Sequence, residues 1–212
     1  MIDTNLLGII LSFIYVFIIL GLSTLLQKRG LSTEGSRKLV HIGVSNWWLI
    51  AMACFNNVVW ASVVPAVFIV LNAISYRKDL FSAMERHEGK GDLGTVYYPI
   101  SLLVLTILCF GGYSPPYAGA LGVFIMGYGD GLAAVIGKRY GIMAYRIFGN
   151  TKSYVGSLTM LVVSFVVCTV ILWAATPVFL GTILLQALIL AVFATVVEAV
   201  SPFGLDNLTV PL

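Results

Sequence analysis

Charged residues are scarce in this sequence. Asp, Glu, Lys and Arg make up 10% of the 212 residues, whereas 59% are hydrophobic and the mean hydropathy is +1.00. Soluble domains are about one quarter charged. The composition therefore excludes a soluble enzyme. It predicts an integral membrane protein with membrane lipid as a partner and without a nucleic-acid partner. Because no polar stretch is long enough to fold separately, we expect a single domain over residues 1–212.

Several familiar motifs are also missing. The three cysteines, Cys54, Cys109 and Cys168, are too far apart for a zinc or redox motif, so we interpret them as small buried hydrophobic residues. There is no Walker A motif, and the G-x-G-x-x-G that begins at Gly89 follows no predicted strand. This excludes the common soluble nucleotide-binding folds. The lack of an internal repeat weighs against a transporter.

Long apolar runs dominate the remainder and predict an all-α polytopic protein of about seven transmembrane helices. The second to fourth runs are short for a bilayer. The runs are Leu6–Leu26, Val40–Phe55, Val58–Ile74, Thr95–Phe110, Tyr117–Gly137, Val155–Ala175 and Phe179–Val200.

The basic residues fall in alternate connections between these runs. With seven spans, every basic loop lies on one side, and the positive-inside rule makes that side cytoplasmic. The N-terminus is then outside, and every acid except Asp3 lies on or near the cytoplasmic side. We therefore expect the active face to be cytoplasmic. The twelve Lys and Arg are Lys28, Arg29, Arg37, Lys38, Arg77, Lys78, Arg86, Lys90, Lys138, Arg139, Arg146 and Lys152.

Asp130 is the most informative residue, because a charge inside an apolar segment costs about 2.5–3.5 kcal/mol on the insertion scale. It stands in Gly127-Tyr128-Gly129-Asp130-Gly131. Glycines at alternate positions argue against an ordinary helix and would let a ligand approach closely. Packing between helices is the alternative explanation of the glycines. It does not explain the aspartate, so we favour a functional role.

Basic residues follow Asp130 in the loop before the next apolar run. Lys138, Arg139 and Lys152 would neutralise a polyphosphate, with Ser153 and Gly156 at the start of the next helix supplying further hydrogen bonds. A solvated loop that obeys the positive-inside rule is the alternative. Beside a carboxylate that holds Mg²⁺, the phosphate-binding interpretation is favoured.

Further polar residues lie at the same predicted membrane face. They are Arg37, Lys38 and His41 at the start of the second run; Glu88, Lys90 and Asp92 before the fourth run, with Tyr97 and Tyr98 near its start; and Glu198, Asp206 and Asn207 near the C-terminus. Alone, His41 is more typical of a satisfied polar residue than of a catalyst, and the tyrosines are equally typical of interface anchors. Together, acids for Mg²⁺ and cations for phosphate indicate phosphoryl or nucleotidyl transfer.

The same residues resemble the phytol kinase/dolichol kinase family, which uses CTP as phosphoryl donor and is distantly similar to phosphatidate cytidylyltransferase. The resemblance runs from about residue 36 to the end. It lies in Arg37-Lys38-Leu39-Val40-His41, Gly129-Asp130-Gly131, Lys152-Ser153 with Gly156-Ser157, and Thr195–Glu198 followed by Asp206-Asn207-Leu208-Thr209-Val210-Pro211-Leu212. Relatives usually continue with a further apolar helix after the Val-Pro-Leu position, whereas this sequence ends there. Either that helix is absent by nature or the sequence is truncated.

The resemblance implies a lipid-alcohol kinase that converts CTP and a membrane isoprenoid alcohol of the phytol, geranylgeraniol or polyprenol type to CDP and the alkyl phosphate. Asp130, with Asp206 or Glu198, would hold Mg²⁺. Lys152, Lys138 and Arg139 would stabilise the transferring phosphoryl group, and His41 or a carboxylate would orient the hydroxyl. Arg37, Lys38, Gly129, Gly131 and Asn207 match the family's remaining nucleotide-site positions. A diacylglycerol kinase, a cytidylyltransferase and a small transporter are the alternatives.

Overall fold

A computed structural model describes residues 3–78, 94–147, 150–202 and 204–212. Glu88, Lys90 and Asp92, which the sequence placed at the active face, lie outside these residues. The described helices are α1 (Thr4–Lys28), α2 (Thr33–Ser45), α3 (Trp47–Cys54), α4 (Val58–Lys78), α5 (Gly94–Phe110), α6 (Pro116–Phe124), a π-helix (Ile125–Asp130), α7 (Gly131–Tyr140), α8 (Tyr154–Ala175), α9 (Leu180–Val200) and α10 (Asp206–Thr209).

Helices long and apolar enough to cross a bilayer confirm the all-α membrane class. Within the described ranges there are five of them: Thr4–Lys28, Val58–Ser75, Pro116–Tyr140, Tyr154–Ala175 and Leu180–Val200. The predicted run Val40–Phe55 is instead divided between α2 and α3, because Asn46 ends α2 and turns its amide back to the Ile42 carbonyl at 2.9 Å. The total of seven spans and the outward N-terminus stay predictions.

A short antiparallel hairpin joins α7 to α8, where the sequence predicted only a basic loop. Strand β1 (Ala144–Ile147) pairs with β2 (Asn150–Ser153), and Tyr145 lies opposite Lys152. Strands of four residues are too short to give a recognisable alternation in the sequence. The hairpin matters because it holds Lys152 at a fixed position beside the start of α8.

The core packs around two tryptophans at the start of α3. Trp47 and Trp48 are fully buried, and each indole N–H has a partner: Trp47 donates to Ser12 Oγ at 2.8 Å and Trp48 to the Pro116 carbonyl at 3.0 Å. Satisfying these donors removes the cost of burying them. The cysteines are free, and Cys109 and Cys168 are buried while Cys54 is half-buried, which agrees with their interpretation as small hydrophobic residues.

Prolines shape the neighbouring helices α4 and α5, which pack against each other. Pro65 lies inside α4 and Pro99 inside α5. Because proline has no N–H, the Thr95 carbonyl one turn before Pro99 loses its helical donor. Asn72 of α4 replaces that donor, and its Nδ2 lies 2.7 Å from the Thr95 oxygen. The two helices are thereby tied together at a proline-kinked point.

The glycines around Asp130 form a π-helix, as the sequence argued against an ordinary α-helix there. They also let helices approach closely. A side chain at Gly129 would lie 2.7 Å from Met160 Sδ and 2.8 Å from Ser164 Oγ of α8, and one at Gly131 would lie 2.5 Å from Ile42 of α2. The packing explanation of these glycines is therefore supported. π-Helical turns are frequent at functional sites, and this one ends at Asp130.

Candidate active site

Asp130 is buried, with 4% of its surface exposed, and meets two residues of α2. Lys38 Nζ lies 2.5 Å from Asp130 Oδ2, and His41 Nε2 lies 3.3 Å from the same oxygen. Lys38 and His41 are three residues apart, so a helix presents them on one face. The same imidazole nitrogen is 3.2 Å from the Met126 carbonyl, which orients the ring. The sequence identified all three residues but not their direct contact.

A second acid–base group lies beside the first. Lys152 of β2 forms an ion pair with Glu198 near the end of α9, and its Nζ lies 3.8 Å from Asp206 Oδ2. Glu198 is buried with 4% exposure. Helix α9 ends at Val200, and α10 begins at Asp206, whose carboxylate lies beside the Lys152–Glu198 pair. The hairpin, α9 and α10 thus converge on one point.

The two groups form a single carboxylate cluster. One oxygen from each of Asp130, Glu198 and Asp206 lies within 4.8 Å of the other two. Hard oxygen ligands at this spacing are suited to Mg²⁺, which takes one or two carboxylates and shares its remaining positions with water and substrate phosphates. The donor set therefore fits the predicted metal, and Lys38 and Lys152 supply the cations that the acids need without it.

Lys152 and Asp206 lie outside the membrane spans, and burial and neighbouring charges shift the pKa of each. Burial alone would lower the pKa of Lys152, but Glu198 and Asp206 outweigh it and raise that pKa. Burial raises the pKa of Asp206, and the Asp130 carboxylate raises it further against the opposing effect of Lys38 and Lys152. Lys152 is thus a fixed cation, and Asp206 has an unfavourable charge that a bound cation would relieve.

Of the other predicted site residues, some lie near the carboxylate cluster and others lie far from it. Asn207 is buried and positions Asp206: its Nδ2 donates to Asp206 Oδ1 at 3.0 Å and to the Gly204 carbonyl at 3.1 Å. Arg37 pairs with Glu34 at 2.7 Å, close to the cluster along α2. Lys138 and Arg139 are exposed at the end of α7, roughly 12 Å along the helix from Asp130.

Ser153 and Gly156 hold the start of α8. Ser153 Oγ accepts a hydrogen bond from the Gly156 N–H at 3.0 Å, which caps the helix. A side chain at Gly156 would lie 3.1 Å from the Ala133 carbonyl of α7, so this glycine permits α7 and α8 to meet. Both residues position Lys152, and their contact with phosphate stays a prediction.

Sequence reasoning left the role of one residue next to this site open and missed another. Tyr98 was left open as an anchor or a site residue, and the structure buries it with its ring 4.8 Å from the His41 ring and its hydroxyl 3.2 Å from the His41 carbonyl. Asn72 was not identified. Its signal was an uncharged amide inside the apolar run of α4, where a buried polar group needs a partner.

A largely apolar cavity opens beside His41. It lies between α1, α2, α4 and α5, and its empty space of about 730 Å³ includes space open to the outside. Its lining includes the polar side chains of Arg37, His41 and Asn207 and the apolar side chains of Val16, Val64, Trp47 and Leu102. Because His41 contacts Asp130 and Asn207 contacts Asp206, the cavity lies beside the carboxylate cluster. A site of this kind suits a substrate with one polar group on a hydrocarbon chain.

A membrane-embedded bundle with a buried carboxylate–lysine cluster beside an apolar cavity is the architecture of an integral membrane enzyme. Comparison with known proteins narrows this class. The phytol kinase of Synechocystis sp. is 36% identical over 195 residues, which are 89% of this chain and 80% of that protein. The chain belongs to the phytol kinase/dolichol kinase family, and it is a phosphotransferase of the lipid-alcohol kinase type.

More distant relatives extend the same assignment. The chloroplastic farnesol kinase of Arabidopsis thaliana is 27% identical, over 94% of this chain and 69% of its own length. The dolichol kinase of Saccharomyces cerevisiae is 30% identical over 89% of this chain, which spans 37% of that longer protein. No protein-family model and no solved structure matches the chain. The family resemblance expected from the motifs is confirmed.

Proposed function

We propose that residues 1–212 form one transmembrane kinase domain that transfers the terminal phosphoryl group of CTP to an isoprenoid alcohol of the phytol type. Mg²⁺ would be the cofactor, and the reaction would take place at the cytoplasmic leaflet. The observation that carries the proposal is the cluster of Asp130, Glu198 and Asp206 with Lys38 and Lys152, next to an apolar cavity that is lined by His41, the neighbour of Asp130. Names of relatives support the acceptor class, since they include phytol, farnesol and dolichol kinases.

The carboxylates would hold the metal, which supplies charge neutralisation on the triphosphate when bound. Lys38 and Lys152 already contact these acids. With a divalent cation balancing the carboxylates, both ammonium groups would be able to donate to phosphate oxygens. Lysine suits this role, since its ammonium is a compact charge on a flexible stem. Lys138 and Arg139, exposed at the end of α7, would contact the outer part of the nucleotide together with Ser153 and Gly156.

The alcohol would enter through the cavity with its hydroxyl at His41. As the hydroxyl oxygen attacks the terminal phosphorus, the bond to the β-phosphate oxygen breaks, CDP leaves, and the hydroxyl proton passes to His41 or a neighbouring carboxylate. Two observations support this role for His41: it lines the cavity, and its Nε2 lies 3.3 Å from Asp130 Oδ2. Little covalent chemistry falls to the protein in phosphoryl transfer, so positioning and electrostatics supply most of the catalysis.

A label-transfer assay tests the proposal. Purified protein in detergent receives Mg²⁺, γ-labelled CTP or ATP, and one acceptor from a panel of phytol, geranylgeraniol, farnesol and diacylglycerol. We expect label in an isoprenoid phosphate, from CTP, and its loss in Asp130→Asn. Asp3→Asn is the matched control, since Asp3 caps α1 outside the cluster. Label in no lipid, or full activity in folded Asp130→Asn, would contradict the proposal. A lipid product labelled from α-labelled CTP would indicate nucleotidyl transfer instead.

A further inference from the structure

We infer that the cavity between α1, α2, α4 and α5 binds the isoprenoid tail, and that apolar side chains in its lining select the length of that tail. This inference rests on the proposed function, because it takes the lipid alcohol as substrate. It adds a location, an orientation and a set of selectivity residues. Trp47, Val64 and Leu102 form the selective wall.

Polarity along the cavity fixes the orientation of the alcohol. His41 and Asn207 line the cavity and contact the carboxylate cluster: His41 contacts Asp130, and Asn207 contacts Asp206. The rest of the lining is formed mainly by aliphatic and aromatic side chains, such as Val16, Val64 and Leu102. A molecule with one hydroxyl on a hydrocarbon tail can satisfy both parts of the lining only with its hydroxyl at the cluster.

Helix geometry places the wall well beyond the hydroxyl. Asn72, a polar residue of the lining, and Val64, in the wall, lie on α4 at a separation of eight residues, or roughly 12 Å. Trp47 begins α3, directly after the end of α2, the helix that carries His41. A tail that extends from His41 therefore meets these residues several carbon–carbon bonds from its hydroxyl. Contacts at that distance from the hydroxyl depend on the length of the tail and not on its reactive end.

The wall is rigid, so it can discriminate. Trp47 is 1% exposed and its indole N–H is tied to Ser12 Oγ at 2.8 Å, while Val64 and Leu102 are 3% and 4% exposed. Pro65 and Pro99 line the cavity, and Asn72 locks α4 to α5 through the Thr95 carbonyl. When a larger side chain is introduced into such a close-packed wall, the wall cannot rearrange to accommodate it, so the added volume excludes part of the ligand.

Substitutions in the wall test the inference through acceptor preference. Wild type, Leu102→Trp and Val64→Trp are compared on geraniol, farnesol and geranylgeraniol. In both variants we expect the ratio of kcat/KM for geranylgeraniol to that for geraniol to fall by about tenfold or more, since hydrophobic pockets discriminate by that order. Leu102→Ala, which enlarges the cavity, should raise the same ratio. Val70→Trp is the matched control, because Val70 lies on α4 with 58% of its surface exposed, and its ratio should stay unchanged.

A binding measurement without nucleotide separates this inference from the proposed function. A diazirine analogue of geranylgeraniol is photolysed on the protein, and labelled peptides are identified with and without excess phytol. We expect phytol-sensitive labelling of 58–75 and 94–110 that weakens in Leu102→Trp. Labelling confined to exposed helix faces, or an unchanged preference in variants that keep geraniol kinase activity, would overturn the inference. Competed cavity labelling in a protein that phosphorylates no prenol would support the inference and contradict the proposed function alone.

Discussion

Lys38 and Asp130 are 92 residues apart in the sequence, yet the lysine ammonium lies 2.5 Å from the aspartate carboxylate, and both residues are buried. An isolated charge at this depth would be costly, and each of these charges makes the other tolerable. The pair also fixes the position of α2 against the π-helix. It therefore links the stability of the bundle to the geometry of the proposed metal site.

The pair predicts a separation of stability from activity. Asp130→Asn leaves Lys38 buried without its counter-charge, so we expect the free energy of unfolding to fall by about 3–5 kcal/mol. Loss of a carboxylate that holds the metal should also lower kinase activity by about 10²–10³-fold. Thermal unfolding in detergent and the label-transfer assay measure the two effects.

A double variant distinguishes these effects. Asp130→Asn with Lys38→Met removes both charges, and it should recover most of the lost thermal stability while activity stays low. Recovery of activity together with stability would mean that Asp130 has only a structural role. That result would remove the carboxylate from the proposed mechanism.

The contact between Asn72 and Thr95 predicts a specific rescue. Asn72→Leu removes the hydrogen-bond donor to the Thr95 carbonyl, to which Pro99 has no N–H to donate. The free energy of unfolding should therefore fall by about 1–3 kcal/mol. Adding Pro99→Ala supplies a backbone N–H one turn after Thr95 and should restore part of the loss. Melting temperatures of the single and double variants test this. Additive losses in the double variant would contradict it.

Much of the site could be predicted because intramembrane acids are costly enough to be conspicuous. Asp130 and Glu198 stood out for that reason, and glycines beside Asp130 indicated an irregular helix. The sequence left their partners unidentified. Lys38 was assigned to phosphate, and its pairing with Asp130 depends on how α2 crosses the π-helix, which no local pattern encodes.

The elements that escaped prediction are short or depend on tertiary contacts. The hairpin has four residues in each strand, below the length at which alternation is visible. Tyr98 became a neighbour of His41 through the packing of α5 against α2. Five of the seven predicted runs correspond to bilayer-length helices in the described residues, because a hydrophobic segment of that length is the clearest signal that a sequence carries.

The raised pKa of Asp206 predicts a pH-dependent effect of metal. Burial, reinforced by Asp130, raises it, so the folded protein holds this proton more tightly than the unfolded chain. Stability from this group is present at low pH and is lost as pH rises from the unfolded pKa, about 3.9, through the folded pKa. Mg²⁺ would relieve the ionised form. The increase in melting temperature between EDTA and Mg²⁺ should therefore be larger at about pH 8 than at about pH 5.

Asp206→Asn should make this metal-dependent increase small and nearly independent of pH. The charged groups that act on Asp206 are Lys152, at 3.8 Å, with Asp130, Glu198 and Lys38. Lys152 stays protonated over this range because its own pKa is raised, so it contributes no change of its own. An equal Mg²⁺ effect at both pH values in the wild type would exclude Asp206 as a titrating ligand.

Gly129 and Gly21 predict opposite effects of the same substitution. An added methyl group at Gly129 would lie 2.7 Å from Met160 Sδ and 2.8 Å from Ser164 Oγ, so Gly129→Ala should destabilise the protein by about 1–3 kcal/mol through overpacking. At Gly21 of α1 an added Cβ meets nothing within 4 Å, and alanine should stabilise the helix by up to about 1 kcal/mol. Melting temperatures of the two variants test this difference. If Gly129→Ala kept full stability but lost nucleotide binding, the glycine would serve the ligand rather than the packing of the π-helix against α8.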